Sequence, residues 1–271
     1  MILEQNILKK KIFKEKGILE RPGILRGFYP DDLSELVFWV HVDPEYVKYS
    51  ESENLVNNWK SREGDNYEIT QTTGSRQPVV DFSARSITFD DTDYLDLPAE
   101  LVAKLKSLSE TTIFIVHKTT VDVGSDTLLS ISDSTTGSKE FAIRGADIGI
   151  LARNGVANWD GESSGTNEIN TSLGSLDNIA LFTYRANGST SDMSSKSNGS
   201  SNSITNSVSL SFDNCSTADV GHIGANEDSS AVQWKYDGGS IYEIIIYGRG
   251  LSDSEITTVE NYLKSKHSIN F

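Results

Sequence analysis

A single cysteine, Cys215, stands in a chain of 271 residues, so no intrachain disulfide can form. Without a partner, Cys215 reads as a small buried residue rather than a nucleophile. Proline is scarce, 5 against 21 glycines, and no apolar run approaches the length of a membrane span. The first residues carry charge from Glu4 onward, with neither the apolar stretch nor the small-residue cleavage site of a secretory signal. Basic residues are outnumbered, 24 Lys and Arg against 39 Asp and Glu, for a net charge of −15. Phosphate recognition needs a basic surface, which argues against nucleic-acid binding by the body of the chain. Acidity instead keeps the body soluble.

The residues that are present point to β-structure. At 37% hydrophobic and 23% charged, the chain can bury one sizeable core. Clusters of Ser, Thr, Asn, Asp and Gly between short apolar runs predict many tight turns and an all-β sandwich. The run Ile241 to Tyr247 is too short and too apolar for an amphipathic helix and reads as a strand buried on both faces. A helix follows it: Ser252 and Glu255 have capping-box spacing, Leu251 and Ile256 occupy the staple positions, and Ile256, Val259 and Leu263 line one face. Pro98 predicts a second helix over Ala99 to Leu108, with Leu101, Val102, Leu105 and Leu108 inward. Other strands are expected near 36–42, 67–71, 79–90, 94–97, 111–118, 126–131, 140–153, 156–159, 177–186, 204–212, 219–224 and 231–235. Asn154-Gly155 supplies a two-residue hairpin signal, and the serine-rich stretch 189–211 reads as polar strands and loops rather than a linker.

Several segments resemble, in order, the motifs of concanavalin A-like (laminin G-like) jelly-roll domains. Leu36-Val-Phe-Trp-Val40 with Asp43 is similar to the opening "L-x-L-W-L-D-A" strand, and Val56-Asn-Asn-Trp59 to the "V-x-x-W-x-D" that follows. Thr70-Gln71 with Arg76-Gln-Pro78 resembles the "A-T-Q … R-P" link, and Ile87 to Leu95 resembles "V-x-F-D-G-x-D-D-x-L". Thr111 to Lys118 matches "F-T-I-F-x-V-x-K", and Gly239 to Glu255 matches the closing "G-x-I-x-E-I-x-I-Y" strand with "L-S-D-x-E". The likeness spans roughly residues 28 to 267. It implies a sandwich of two antiparallel sheets over 28–271 with a short C-terminal helix, and core roles for Trp39 and Trp59. Lys60 and Arg62 lie in the segment that stands in place of the family's "W-x-D-x-S-G" and departs from it, and Asp91 replaces a glycine, so those loops are expected to be reshaped.

Residues 1–27 differ from this body. Seven Lys and Arg against Glu4, Glu15 and Glu20 give 7 − 3 = +4, leaving −15 − 4 = −19 for the remainder. Apolar pairs recur at Ile2-Leu3, Ile7-Leu8, Ile12-Phe13, Ile18-Leu19 and Ile24-Leu25. At about 100° per residue that spacing scatters the pairs around a helix, and strand alternation is absent too. An extended arm results, whose apolar pairs need pockets supplied by a partner with an acidic surface. A neighbouring copy of this acidic body would serve, making a homo-oligomer, and the bland alternative is a solvated tail.

Catalytic and metal signatures are weak. Glycosidases of the resembled fold carry an "E-x-D-x-E" strand whose alternation aims two carboxylates into one groove; Glu140, Glu168 and Glu243 are scattered instead. Glu243 reads as structurally paired. Gly161-Glu-Ser-Ser-Gly165 formally matches a nucleophile elbow but lacks the flanking buried strand and helix. His41, His117, His222 and His267 show no metal spacing. Asp90, Asp91 and Asp93 offer oxygens suited to calcium, which the resembled domains often hold at such rims, or equally a turn capped by carboxylates. Sugar recognition needs exposed rings beside amides and carboxylates. Asn158, Trp159 and Asp160, then Trp234, Tyr236 and Asp237, are the candidates, with edge packing the competing role for Trp159.

These features together predict a non-enzymatic virion protein of a tailed bacteriophage. An adhesion-type sandwich with neither export signal nor disulfide is ordinary for a virus protein made in the host cytoplasm and released by lysis. The expected partners of the arm are the major capsid protein or tail components, with capsid decoration first and weak adhesion to host-surface glycans as an addition. The alternative is a tail or fibre glycan-binding adhesin, or a polysaccharide-cleaving enzyme.

Overall fold

A computed structural model describes residues 27–62, 66–120, 126–135, 140–146, 149–154, 168–171, 177–197, 200–206, 210–228, 231–233 and 235–271. The arm, apart from Gly27, lies outside these residues. Among them the chain forms two stacked antiparallel sheets, a separate antiparallel pair of short strands (Asn226–Asp228 with Ala231–Gln233) and two α-helices, α1 (Ala99–Leu105) and α2 (Asp253–His267).

The closing strand Gly239–Tyr247 organises the first sheet. One of its edges pairs along its length with Thr111–Thr119. Its other edge is shared, with Ser86–Phe89 taking the first residues and Leu36–His41 the last. Beyond Thr111–Thr119 come Ile179–Ala186, Ser191–Ser197 and Ser200–Asn206, while Val79–Asp81 continues from Ser86–Phe89. The second sheet runs from Glu168–Thr171 through Gly149–Asn154, Glu140–Ala146, Asp126–Ser132, Val220–Ile223, Leu95–Asp96, Glu68–Thr70 and Val56–Lys60 to Val47–Tyr49.

Alternation sorts side chains to two cores. Ile241, Ile244 and Ile246 enter the core between the sheets with Phe38, Trp59, Ile115 and Phe182. Tyr242, Ile245 and Tyr247 join Trp39, Phe114 and Leu181 on the outer face of the first sheet, where α2 covers them with Val259 and Leu263. Full burial of each such aliphatic side chain stabilises by about 1.5–3 kcal/mol. Ser252 Oγ accepts from the Glu255 N–H while the Glu255 carboxylate accepts from the Ser252 N–H, so the capping box read from the sequence starts α2. Glu255 also receives both ends of the Arg249 guanidinium, at 2.7 and 3.1 Å. Leu101, Val102, Leu105 and Leu108 are buried as expected, with Pro98 as the N-cap of α1. Cys215 is fully buried.

Two long expected strands are hairpins. Over 79–90 the chain turns at Phe82–Arg85, because Asp81 Oδ1 accepts from the N–H groups of Ser83 and Ala84 and Arg85 takes a left-handed φ of 55°. Over 140–153 the chain reverses between Ala146 and Gly149, and Asn154 is a paired strand residue opposite Phe141. Gly155 and the strand expected at 156–159 lie outside the described residues, so the hairpin expected at Asn154-Gly155 does as well. The serine-rich stretch supplies two polar strands, Ser191–Ser197 and Ser200–Asn206, as anticipated.

Candidate functional site

The site begins with an irregularity in the closing strand. A register shift between Ile241 and Glu243 interrupts the pairing with Thr111–Thr119 and turns Glu243 toward α2. There Glu243, fully buried, accepts from Trp39 Nε1 at 2.7 Å and from the Tyr262 hydroxyl at 3.5 Å through one oxygen. Its other oxygen meets Lys266 Nζ at 2.8 Å and His267 Nε2 at 2.6 Å. Burial disfavours the carboxylate, yet the His267 hydrogen bond and the Lys266 charge outweigh it and hold the group down at about 2. Glu243 is therefore a structural ion, as its isolation in the sequence suggested.

Beside this ion opens a cleft of about 970 Å³. Helix α2 contributes Thr258, Asn261, Tyr262, Ser265 and Lys266, a second face at i, i+3, i+4, i+7, i+8 next to the one buried on the sheet. Phe28 and Tyr29 close one side, Phe82 and Arg85 come from the turn after Val79–Asp81, and His41 and Asp43 from the end of Leu36–His41. Arg62 follows the strand Val56–Lys60 and lays its guanidinium 4.4 Å from the Trp39 ring centre and 5.5 Å from that of Tyr29. Lys266 sits 5.3 Å from the Tyr262 ring. Such cation–π contacts are worth about 0.5–2 kcal/mol each.

The electrostatics of the cleft run against the rest of the chain. Arg62, Arg85 and Lys266 line it, with Asp43 the acidic residue among them. Asp43 spends a carboxylate oxygen on the Glu45 N–H at 2.9 Å. Burial lowers the Lys266 pKa despite Glu243, and the fields of Arg62 and Arg85 lower it further. His41 is buried, and burial together with the Lys266 charge pushes its pKa down to about 4, so it is neutral near pH 7. Its Nδ1 is enclosed and has no hydrogen-bond partner.

The residues expected to bind sugar distribute differently. Tyr236 is fully buried, a correction to its assignment as an exposed platform. Its hydroxyl donates to the Lys118 carbonyl at 2.9 Å and lies 3.0 Å from Thr119 Oγ1, which ties the ring into the core over Gly239. Asp237 beside it is partly exposed. Asn158, Trp159, Asp160 and Trp234 lie outside the described residues, as do the Gly161–Gly165 motif and the arm pairs Ile2 through Leu25.

Asp90, Asp91 and Asp93 are brought to one turn. Asp90 Oδ1 accepts from the N–H and hydroxyl of Thr92, and Asp93 Oδ2 accepts from the Asp90 N–H at 3.1 Å. Among the described residues no group of three acidic, His or Cys side chains is placed to hold a metal ion. His222 bridges Asp96 at 3.0 Å and Glu227 at 3.3 Å; burial opposes its protonation, but these two carboxylates raise its pKa. Glu140 and Glu168 lie on separate strands, opposite Ser132 and Arg153. No described helix is long and apolar enough to cross a membrane.

Sequence reasoning missed the cleft because its walls come from five segments.

No family model matches the chain, and no curated protein does. Solved structures are similar. The binding domain of botulinum neurotoxin DC in complex with SialylT aligns over 85% of this chain and 52% of that one, at 13% identity and a TM-score of 0.52. A leech intramolecular trans-sialidase complexed with 2,7-anhydro-Neu5Ac aligns over 63% and 26%, at 19% identity and 0.50. The CBM40 domain of a Ruminococcus gnavus IT-sialidase bound to α2,3-sialyllactose aligns over 58% and 85%, at 21% identity and 0.48. The first two likenesses agree with a β-sandwich and extend to the fold alone.

Proposed function

We propose that this chain is a non-catalytic carbohydrate-binding jelly roll, displayed on a bacteriophage particle and anchored there by residues 1–27. The observation that carries the binding reading is the cleft beside α2. Aromatic rings of Phe28, Tyr29, Phe82 and Tyr262 wall it, and Asn261, Ser265 and Thr258 add directional polar groups. Pyranose rings stack on aromatic faces while their hydroxyls require such partners. A cavity of this volume, about 970 Å³, suits a short oligosaccharide rather than a buried small cofactor. A similar fold, the binding domain of botulinum neurotoxin DC, is solved in complex with SialylT, which supports a binding role without naming a ligand for this chain.

The test is a glycan array probed with the full chain and with Tyr262→Ala and Asn261→Ala. Binding to a restricted set of saccharides, weakened in both variants, is the expected result. Signal for no saccharide would refute the reading, and turnover of any polysaccharide would refute its non-catalytic part.

The virion reading rests on the charge partition, +4 in residues 1–27 against −19 in the remainder, and on the apolar pairs spaced along that arm. An acidic surface on a coat protein or tail component is the expected seat of the arm. Deleting residues 1–27 should abolish association with purified particles while the sandwich stays folded, and retained association would exclude the arm as the anchor.

A further inference from the structure

We infer that the saccharide received by the cleft beside α2 is anionic, its carboxylate or sulfate group seated against Arg62 and Arg85. This rests on the saccharide-binding reading and specifies its ligand class.

The first support is the state of the arginines. Among the other arginines whose side chains are described, Arg185 contacts Asp192 and Asp253 at 2.5 and 2.7 Å, Arg249 contacts Glu255 at 2.7 Å, and Arg76, which lacks a carboxylate, donates to the Tyr94 hydroxyl at 2.7 Å. Among the described residues Arg62 and Arg85 have no carboxylate partner, although acidic residues outnumber basic ones 39 to 24. Arg62 is held instead by the rings of Trp39 and Tyr29, which fix the guanidinium plane without occupying its donors. A planar fork held this way matches the two oxygens of a carboxylate or sulfate.

The second support is the sign of the charges that line the cleft: Arg62, Arg85 and Lys266 against Asp43. Lys266 supplies positive potential while remaining tied to Glu243 at 2.8 Å. An anion would thus find an ammonium and two guanidiniums that have no carboxylate partner among the described residues, in a partly enclosed space where charge–charge attraction exceeds its value in bulk water. The basic arm, at +4, does not complement this potential, whereas an acidic sugar does.

Calorimetric titration of the full chain, together with a glycan array in which each acidic saccharide is accompanied by its carboxyl-reduced or desulfated twin, tests this. Neutral twins should bind at least about tenfold more weakly, equivalent to about 1.4 kcal/mol. Arg62→Gln and Arg85→Gln should each lose acidic binding by about tenfold, and Arg62→Lys should retain part of it. Arg85 is exposed, so its variant tests the inference even if Arg62→Gln perturbs folding. Loss on carboxyl reduction identifies a uronate-type ligand, and loss on desulfation identifies a sulfated one; either supports the inference. Equal binding of both twins overturns it and leaves the saccharide-binding reading intact. Absence of all saccharide binding removes both.

Discussion

The indole of Trp39 is used on two sides: its Nε1 donates to buried Glu243 at 2.7 Å, and its face carries the Arg62 guanidinium 4.4 Å from the ring centre. The ring thus links the ion beneath α2 to the cation at the mouth of the cleft. Removing the carboxylate would leave Lys266 and His267 facing each other without their shared acceptor. Glu243→Gln is expected to cost about 3–5 kcal/mol in urea denaturation, the usual penalty for stranding one member of a buried pair. Glu243→Met combined with Lys266→Met should recover part of that loss, because the apolar pair needs no desolvation of charge. A double variant no more stable than the single one would show that the pair is not the source of the cost.

Acid should destabilise the protein in two ranges. His41 and His117 are both buried, with pKa values pushed down to about 4 by burial, and in His41 also by the Lys266 charge. The unfolded chain binds their protons near 6.5, so each contributes stability that is present above pH 6.5 and lost as the pH falls toward 4. The shift corresponds to roughly 3 kcal/mol per histidine. Glu243, held at about 2, acts in the lower range: its contribution is present above about 4.5 and lost as the pH falls toward 2. Asp93, raised from 3.8 to about 7, opposes the histidine slope, whereas His222, raised from 6.5, contributes stability that is lost only as the pH rises above that value. His117→Leu should therefore flatten the fall in stability between pH 6.5 and 4 and leave the lower range unchanged. Chemical denaturation at a series of pH values measures both.

The fold was legible wherever local chemistry decides it. Ser252 and Glu255 announce the start of α2, and the apolar run Ile241–Tyr247 announces a buried strand, because capping and burial act over a few residues. Turn positions were harder. The reversal at Phe82–Arg85 depends on Asp81 capping two N–H groups and on a left-handed Arg85, neither of which is specified by glycine or proline. Tyr236 was misread for the same reason that amphipathic rings are ambiguous, since its hydroxyl finds backbone partners inside the core. The cleft is a tertiary product: Tyr29, His41, Arg62, Arg85 and Lys266 have no spacing that joins them.

Asp93 carries a stability effect of opposite sign to the histidines. It is 6% exposed, and burial, reinforced by the Asp90 charge, pushes its carboxyl up to about 7. The folded state holds that proton more tightly than the unfolded chain, so the contribution is present below about pH 3.8 and lost as the pH rises through 7. Asp93→Asn keeps an oxygen to accept the Asp90 N–H and removes the ionisation. The variant should be about 1–2 kcal/mol more stable than the parent at pH 8 and nearly equal to it at pH 4. A variant that is less stable at pH 8 would mean that the ionised carboxylate is wanted there.

Gly239 opens the closing strand directly beneath Tyr236, and a Cβ at this position would lie 2.0 Å from the ring carbon bearing the hydroxyl. The ring cannot retreat without giving up its contacts to the Lys118 carbonyl and Thr119 Oγ1. Gly239→Ala should consequently destabilise by about 3 kcal/mol, at the upper end of ordinary overpacking, and lower the melting temperature by roughly 6–12 °C. Tyr236→Ala alone leaves a cavity and should cost about 3–5 kcal/mol. If the clash is the cause, adding Gly239→Ala to Tyr236→Ala costs little more, so the two substitutions are strongly non-additive in thermal denaturation. Additive losses would place the glycine requirement in the strand backbone instead of under the ring.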